Sequence, residues 1–283
     1  MPPIAPKDRQ ELLEVEVSRG GLVESRHAVA AVAVDADGGV RAAWGDGEMA
    51  VYPRSAVKPM QALPLIETGA ADAFGVSEQE LALACASHNG EPMHASAVGA
   101  WLKRMGLGEA DLACGSHWPY HDDSARGLAL RRETPNALHN NCSGKHAGML
   151  ALAKHHGWPT TGYEAMGHPV QDRIITEVES WTGVPKERLV LTVDGCNTTC
   201  FGLSLTAMAR AYAAFATATE PAPRRLWRAV TNHPDLVAGT GRLCTDLMLA
   251  WPGEVFAKIG GEGVYSAAVP SLGLGIALKV EDG

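Results

Sequence analysis

The feature that most constrains the fold is a change of pattern along the chain, with strands predicted at both ends and helices between them. Residues 12 to 45 alternate apolar and polar positions around two glycine-containing breaks, at 19–21 and 37–39. This alternation predicts three strands of a meander. From residue 58 to about 251 the apolar periodicity is helical, and after Gly253 the strand pattern returns. The last three strands are predicted at 255–258, 263–268 and 273–280.

This order of elements predicts an α+β fold with a central, mostly antiparallel sheet. The C-terminal strands would pack beside the N-terminal ones, and the helical region would cover one face and form a lobe. Helices are predicted at 58–69, 77–85, 92–105, 143–156, 166–181, 198–214 and 223–232. The second of them starts with a capping box, Ser77 to Glu80. Without a repeat or a long linker, the pattern predicts a single domain over residues 1–283, and the turn signal at its end predicts that a further strand or helix follows.

Composition and charge narrow the class of protein. Of 283 residues, 46% are hydrophobic, and 24 basic against 32 acidic residues give a net charge of -8. We therefore expect neither nucleic acid nor an anionic membrane surface as a partner. Residues 1–8 contain no apolar leader, and no segment approaches the roughly 18 apolar residues of a membrane span, so we expect a cytoplasmic protein. In that compartment its six cysteines are expected to be thiols, metal ligands or buried groups before disulfides.

A serine and a lysine stand three residues apart where the first helix is predicted to begin. One helical turn would bring the amine of Lys58 beneath the hydroxyl of Ser55, and a desolvated lysine can take the proton of a serine nucleophile. Two further stretches, Ser87-His88-Asn89 and Lys258-Ile259-Gly260, complete an ordered triplet that resembles that of penicillin-recognising serine enzymes. Each stretch keeps a plain structural interpretation, since Ser87 could cap a helix and Lys258 could be an exposed edge residue.

Two stretches in the helical region place cysteine at or near the entrance to a helix, Cys142 within 140–146 and Cys196 within 194–200. The helix dipole there lowers a thiol pKa and favours an anion or a metal. The two cysteines could share one Zn²⁺, which His146, Cys200 or, less conventionally, Lys145 would complete. Simple burial of both thiols is the alternative.

Five stretches together resemble the motifs of rhizobial-type L-asparaginases: 54–59, 86–91, 114–119, 141–149 and 194–196. This family has a fold related to serine β-lactamases and glutaminases. The resemblance implies that Ser55 is the nucleophile and Lys58 its base, while Ser87 and Lys258 form a second Ser-Lys tandem. It also implies zinc ligands at Cys142, Lys145 and Cys196. The substrate-binding residues that it implies are Arg54, Asn89, His146 and Asp194.

The predicted function is hydrolysis of L-asparagine to L-aspartate and ammonia through the serine nucleophile. Side-chain amide hydrolysis needs a nucleophile, a base, an acid for the departing ammonia and donors for the oxyanion, and two Ser-Lys pairs can supply the first three. The resemblance further implies a small-molecule amide substrate and a homodimer. Three alternatives stay open: a glutaminase, a β-lactamase-like serine amidase, and an amino acid-binding protein without catalysis. One methylene separates asparagine from glutamine, and pocket depth is not readable from the sequence.

Overall fold

The computed structural model describes residues 11–283. The first ten residues of the predicted domain lie outside the described residues, and so does the prediction that residues 1–8 contain no apolar leader. The described strands are β1 Leu13–Arg19, β2 Leu22–Asp35, β3 Val40–Trp44, β4 Ala50–Val51, β5 Val190–Val193, β6 Thr199–Ser204, β7 Phe256–Ile259, β8 Val264–Val269 and β9 Leu274–Val280. The described helices are α1 Lys58–Glu67, α2 Ala70–Ala73, α3 Glu78–Ala84, α4 Pro92–Arg104, α5 Asp122–Leu130, α6 Ser143–His156, α7 Pro169–Thr182, α8 Leu205–Thr217, α9 Pro221–Asn232, α10 Pro234–Val237 and α11 Leu243–Ala250.

The larger sheet joins the two ends of the chain. Its strand order is β1-β2-β9-β8-β7, with β3 paired to β2, and every pairing is antiparallel. The junction lies between β2 and β9, whose register runs from Val29 opposite Val280 to Asp35 opposite Leu274. The structure therefore confirms the α+β class, and it confirms that the C-terminal strands pack beside the N-terminal ones.

Helix α8 packs across the large sheet so closely that one position of β9 has to be glycine. A Cβ atom at Gly275 would lie 2.0 Å from the carbonyl oxygen of Ala209 and 2.1 Å from the backbone nitrogen of Ala213. The same helix buries Tyr212, whose ring stacks on Phe256 of β7 with 6.0 Å between centroids. Helix α8 thus packs against the sheet in which the two ends of the chain meet.

A second, three-stranded sheet of order β4-β6-β5 corrects the prediction of a helix over 198–214. Residues Thr199–Ser204 are strand β6, and α8 begins only at Leu205, where Ser204 Oγ accepts a hydrogen bond from the backbone N–H of Ala207 (3.2 Å). The first five residues of β6 are all buried, so they lack the alternation that identifies a half-exposed strand, and an apolar run of this kind is easily confused with a helix. Strands β4 and β5 and helices α2, α5, α10 and α11 are likewise absent from the prediction.

Among residues 11–283, no helix combines the length and the apolar character that crossing a membrane requires.

Candidate active site

Ser55 and Lys58 lie where a short turn leads into α1. Residues Arg54–Val57 form one turn of 3-10 helix, and α1 begins at Lys58. The hydroxyl of Tyr212, from α8, anchors this turn by donating a hydrogen bond to the carbonyl of Ala56 (2.7 Å). Lys58 is buried, with 1% of its surface exposed. In residues 11–283 no hydrogen bond joins Ser55 to Lys58, because the amine points instead to the segment after α3.

Ser87 is the residue at which the two predicted lysines meet. Helix α3 starts with the predicted capping box and ends at Ala84, after which the chain extends and Ser87 donates its backbone N–H to the carbonyl of Val237 (2.9 Å). Lys58 Nζ donates to Ser87 Oγ (3.1 Å), and Lys258 Nζ donates to the same oxygen (2.7 Å). The structure therefore brings three of the four predicted catalytic residues together around one buried hydroxyl.

The proximity of the two buried amines changes the protonation of one of them. Burial, followed by the charge of Lys58, lowers the pKa of Lys258 to about 7. The amine still has two acceptors, Ser87 Oγ and the carbonyl of Ile259 (2.9 Å). At neutral pH a large fraction of Lys258 is therefore unprotonated and able to accept a proton.

Two glycines after Lys258 allow β7 to approach the turn that carries Ser55. A Cβ atom at Gly260 would lie 2.5 Å from the carbonyl oxygen of Pro53, and one at Gly261 would lie 2.7 Å from Cδ of Arg54. A side chain at Gly260 would push the end of β7 away from the Pro53 backbone, and one at Gly261 would displace the side chain of Arg54. The glycines of the Lys-x-Gly stretch thus serve close packing, and this packing places Lys258 next to Ser87.

The side chain of Arg54, the first residue of this turn, is held by two carboxylates. Its Nε donates to Asp194 (2.9 Å) and its Nη1 to Glu262 (3.3 Å). Burial lowers the pKa of Arg54, but the neighbouring acidic groups, above all Asp194, outweigh burial and raise it. Arg54 and Glu262 both have left-handed backbones, with φ of 48° and 49°. Such residues cost on the order of 1–3 kcal/mol each and concentrate at functional sites.

A cavity of about 460 Å³ opens beside this ion pair. Its volume falls within the roughly 300–1,000 Å³ of typical small-molecule sites. Charged side chains of both signs border it, namely Arg54, Asp194, Glu262 and Lys279. Cys200, a candidate zinc ligand in the sequence, lines this cavity, and burial raises the pKa of its thiol to about 11.

The predicted zinc ligands continue the buried polar chain from Lys58. Lys58 Nζ lies 3.1 Å from Cys142 Sγ, and Lys145 Nζ lies 3.1 Å from Cys196 Sγ and 2.6 Å from Thr198 Oγ1. A hydrogen bond between the two thiol groups raises the pKa of Cys142 and, with the charge of Lys145, holds that of Cys196 well below its usual range. A continuous series of polar contacts therefore links Lys258 to Lys145.

His146 and Asn89 occupy different surroundings. His146 is fully buried, its Nδ1 pairs with the hydroxyl of Tyr163 (2.6 Å), and burial lowers its pKa while the neighbouring Cys196 thiol opposes that shift. Asn89 donates to the carbonyl of Thr240 (3.0 Å) and accepts from Arg242 Nη1 (2.7 Å). The structure thus uses the amide of Asn89 to hold the segment after α10, and no hydrogen bond in the described part of the chain joins it to the other predicted site residues.

The donor atoms of the thiol cluster fit zinc in part. Two buried thiol sulfurs are soft ligands that Zn²⁺ favours. Across the described residues, no group of three or more His, Cys, Asp or Glu side chains is arranged to hold a metal ion. A zinc site at Cys142 and Cys196 therefore requires the amine of Lys145 as its third protein ligand.

Three residues gain a role that the sequence motifs did not assign. Thr198 binds Lys145, and Glu262 binds Arg54. Thr198 lies inside the stretch 194–200 and Glu262 lies two residues after Lys258-Ile259-Gly260, so proximity in sequence was a usable signal. Tyr163, the partner of His146, lies in an irregular segment between α6 and α7 and carries no such signal.

One known protein family matches nearly the whole chain. The family model described as L-asparaginase II matches residues 15–283. The chain belongs to that family. This membership confirms the resemblance carried by the five motif stretches, and the match covers both sheets from residue 15 onward and every residue of the candidate active site.

Among solved structures, the chain is similar to Mglu in its native form in the presence of 4.3 M NaCl, with 15% identity and a TM-score of 0.48 over 90% of this chain and 56% of that one. For Mglu in its tris and glutamate form the values are 15%, 0.49, 98% and 59%. For a β-lactamase from Mycobacterium bovis they are 13%, 0.41, 89% and 86%. The chain thus spans between half and two thirds of the length of Mglu. A search of curated proteins found no match.

Proposed function

We propose that the protein is an amidohydrolase that hydrolyses L-asparagine to L-aspartate and ammonia. The observation that carries the proposal is the buried series Lys258, Ser87 and Lys58, located next to the turn of Ser55 in a member of the L-asparaginase II family. A second serine placed between two lysines has no structural necessity, whereas it suits proton transfer during acyl transfer.

In this mechanism Ser55 Oγ attacks the side-chain carbonyl carbon of asparagine. Lys58 takes the serine proton, in a hydrogen bond to Ser55 that has to form when substrate is bound. Ser87 passes a proton between the two lysines, and the protonated amine donates it to the departing ammonia. Water then attacks the acyl-enzyme and releases aspartate. A pKa of about 7 for Lys258 suits this cycle, because the amine can be loaded and unloaded near neutral pH.

The test is ammonia release from L-asparagine and, in parallel, L-glutamine by the purified protein. We expect release from asparagine, and Ser55→Ala should reduce it by a factor of about a thousand or more. Ser87→Ala should reduce turnover without preventing the formation of an acyl-enzyme on Ser55. Wild-type turnover in Ser55→Ala would refute Ser55 as nucleophile. Greater ammonia release from glutamine would identify the protein as a glutaminase. Hydrolysis of a chromogenic lactam would identify it as a β-lactamase-like amidase. Binding of the amino acid without any ammonia release would identify it as a sensor.

We further propose that Cys142, Lys145 and Cys196 hold Zn²⁺. When bound, the ion would fix the positions of the segments that carry His146 and Asp194. Removal of zinc with a chelator is therefore expected to raise KM for asparagine more than it lowers kcat. A complete loss of kcat that zinc restores would contradict a positioning role. The homodimer stays a prediction, which the molar mass in solution would test.

A further inference from the structure

We infer that Glu262 binds the α-ammonium group of the substrate and makes the site selective for free α-amino acids. This inference rests on the proposed amidase function and adds a specificity-determining residue to it. Glu262 lies at the tip of the β7–β8 hairpin, four residues after Lys258, and it borders the 460 Å³ cavity together with Arg54.

The carboxylate of Glu262 has free acceptor capacity. Glu262 is 77% exposed at its side chain, and its contact with Arg54 Nη1 is long, at 3.3 Å. Asp194, the other anion at this wall, is only 11% exposed at its side chain, and one of its oxygens accepts from both Arg54 Nε (2.9 Å) and the backbone N–H of Gly195 (2.7 Å). Of the two carboxylates, Glu262 is therefore the more accessible to an incoming cation.

Charged groups of both signs lie at the wall of this cavity. Arg54 presents a guanidinium beside the Glu262 carboxylate, and Lys279 adds a second cation to the lining. A free α-amino acid carries an ammonium and a carboxylate on one carbon atom, so an adjacent anion and cation match it in sign and spacing. A residue inside a peptide lacks both charges, and a des-amino analogue lacks the ammonium.

The backbone is strained at both members of the Arg54–Glu262 pair. Arg54 and Glu262 each have a positive φ, which residues other than glycine rarely adopt. Close packing of Gly260 on Pro53 and of Gly261 on Arg54 holds the hairpin tip in this position. The chain thus maintains a strained arrangement that brings an exposed carboxylate to the cavity, which is the pattern expected of a binding group.

The test compares Glu262→Gln with wild type on L-asparagine and on succinamate, the same amide without the α-amino group. The variant is expected to bind L-asparagine about tenfold more weakly, since a hydrogen bond to a charged group has that order of effect, while succinamate is unaffected. Glu254→Gln, an exposed glutamate just before β7, is the matched control and should change neither ligand. KM is measured with the active proteins, and affinity is measured by calorimetry with both proteins carrying Ser55→Ala, so that binding is tested without turnover.

Different failures are distinguishable. Equal losses for both ligands in Glu262→Gln, or equal affinity of wild type for both, would overturn the inference and leave the amidase proposal intact. Selective binding of L-asparagine that Glu262 controls, without ammonia release, would support the inference while refuting the catalytic function. Binding of neither ligand by the folded wild-type protein would overturn both.

Discussion

Substitution of Gly144 by alanine should separate two helices that carry the site. Gly144 lies in the first turn of α6, between Cys142 and Lys145, and it packs against the end of α3. A Cβ atom there would lie 2.3 Å from the carbonyl oxygen of Leu83 and 2.7 Å from its carbonyl carbon. Because the obstacle is backbone, a side-chain rotation cannot relieve it, and the helices have to move apart by about 1 Å to restore ordinary contact.

The magnitude follows from overpacking and helix propensity. Inserting a methyl group into a packed region costs about 1–3 kcal/mol, and a backbone obstacle belongs at the upper end. Alanine in place of glycine within a helix returns about 0.5–1 kcal/mol. We therefore expect Gly144→Ala to lower the free energy of unfolding by about 2 kcal/mol. The movement also displaces Ser87, three residues beyond α3, relative to Lys58, and a shift of about 1 Å can cost roughly a hundredfold in rate.

The matched control is Gly148→Ala, one helical turn further along the same face of α6. A Cβ atom there would meet its nearest neighbour, Ala84 Cβ, at 3.5 Å, which is ordinary contact. This variant should therefore gain up to about 1 kcal/mol. Urea unfolding followed by circular dichroism measures both free energies, and ammonia release measures activity. Equal stability of the two variants would refute the packing argument, whatever the enzyme's substrate.

Three further predictions concern charge. The kcat/KM for ammonia release should rise with pH up to about 7 and then level off, because Lys258 accepts a proton only in its neutral form; a flat profile between about pH 6 and 8 would contradict this. His88 and His94 are buried and stacked, burial lowers the pKa of each, and each Nδ1 accepts a backbone N–H. The unfolded chain therefore binds more protons below about pH 6.5, so the urea midpoint should fall there, and it should fall less in His94→Gln; equal pH slopes would refute this. Asp194→Asn removes the charge facing Arg54 and should raise KM for asparagine more than it lowers kcat, and an unchanged KM would contradict its role.

Local patterns predicted much of this protein. Apolar periodicity along the sequence predicted the strands at both ends and the helices at both sides of the site. The residue types of the capping box predicted the start of α3. Strand β6 was not predicted, because burial on both of its faces removes the alternation on which the prediction of a strand depends. The identities of the reactive residues were also readable, because Ser-x-x-Lys and the glycine-flanked lysine are short motifs.

The sequence by itself thus determined which residue types are present, which elements contain them and to which family the chain belongs. Only the tertiary structure decided that Lys58 and Lys258 meet at Ser87, a residue 171 positions before Lys258, and that Glu262 faces Arg54. These contacts depend on how β7 packs against the turn of Ser55. That packing arises from the whole set of long-range contacts. The lowered pKa of Lys258 arises in the same way, because the amine is buried and lies close to the charge of Lys58 only once the distant segments are folded together.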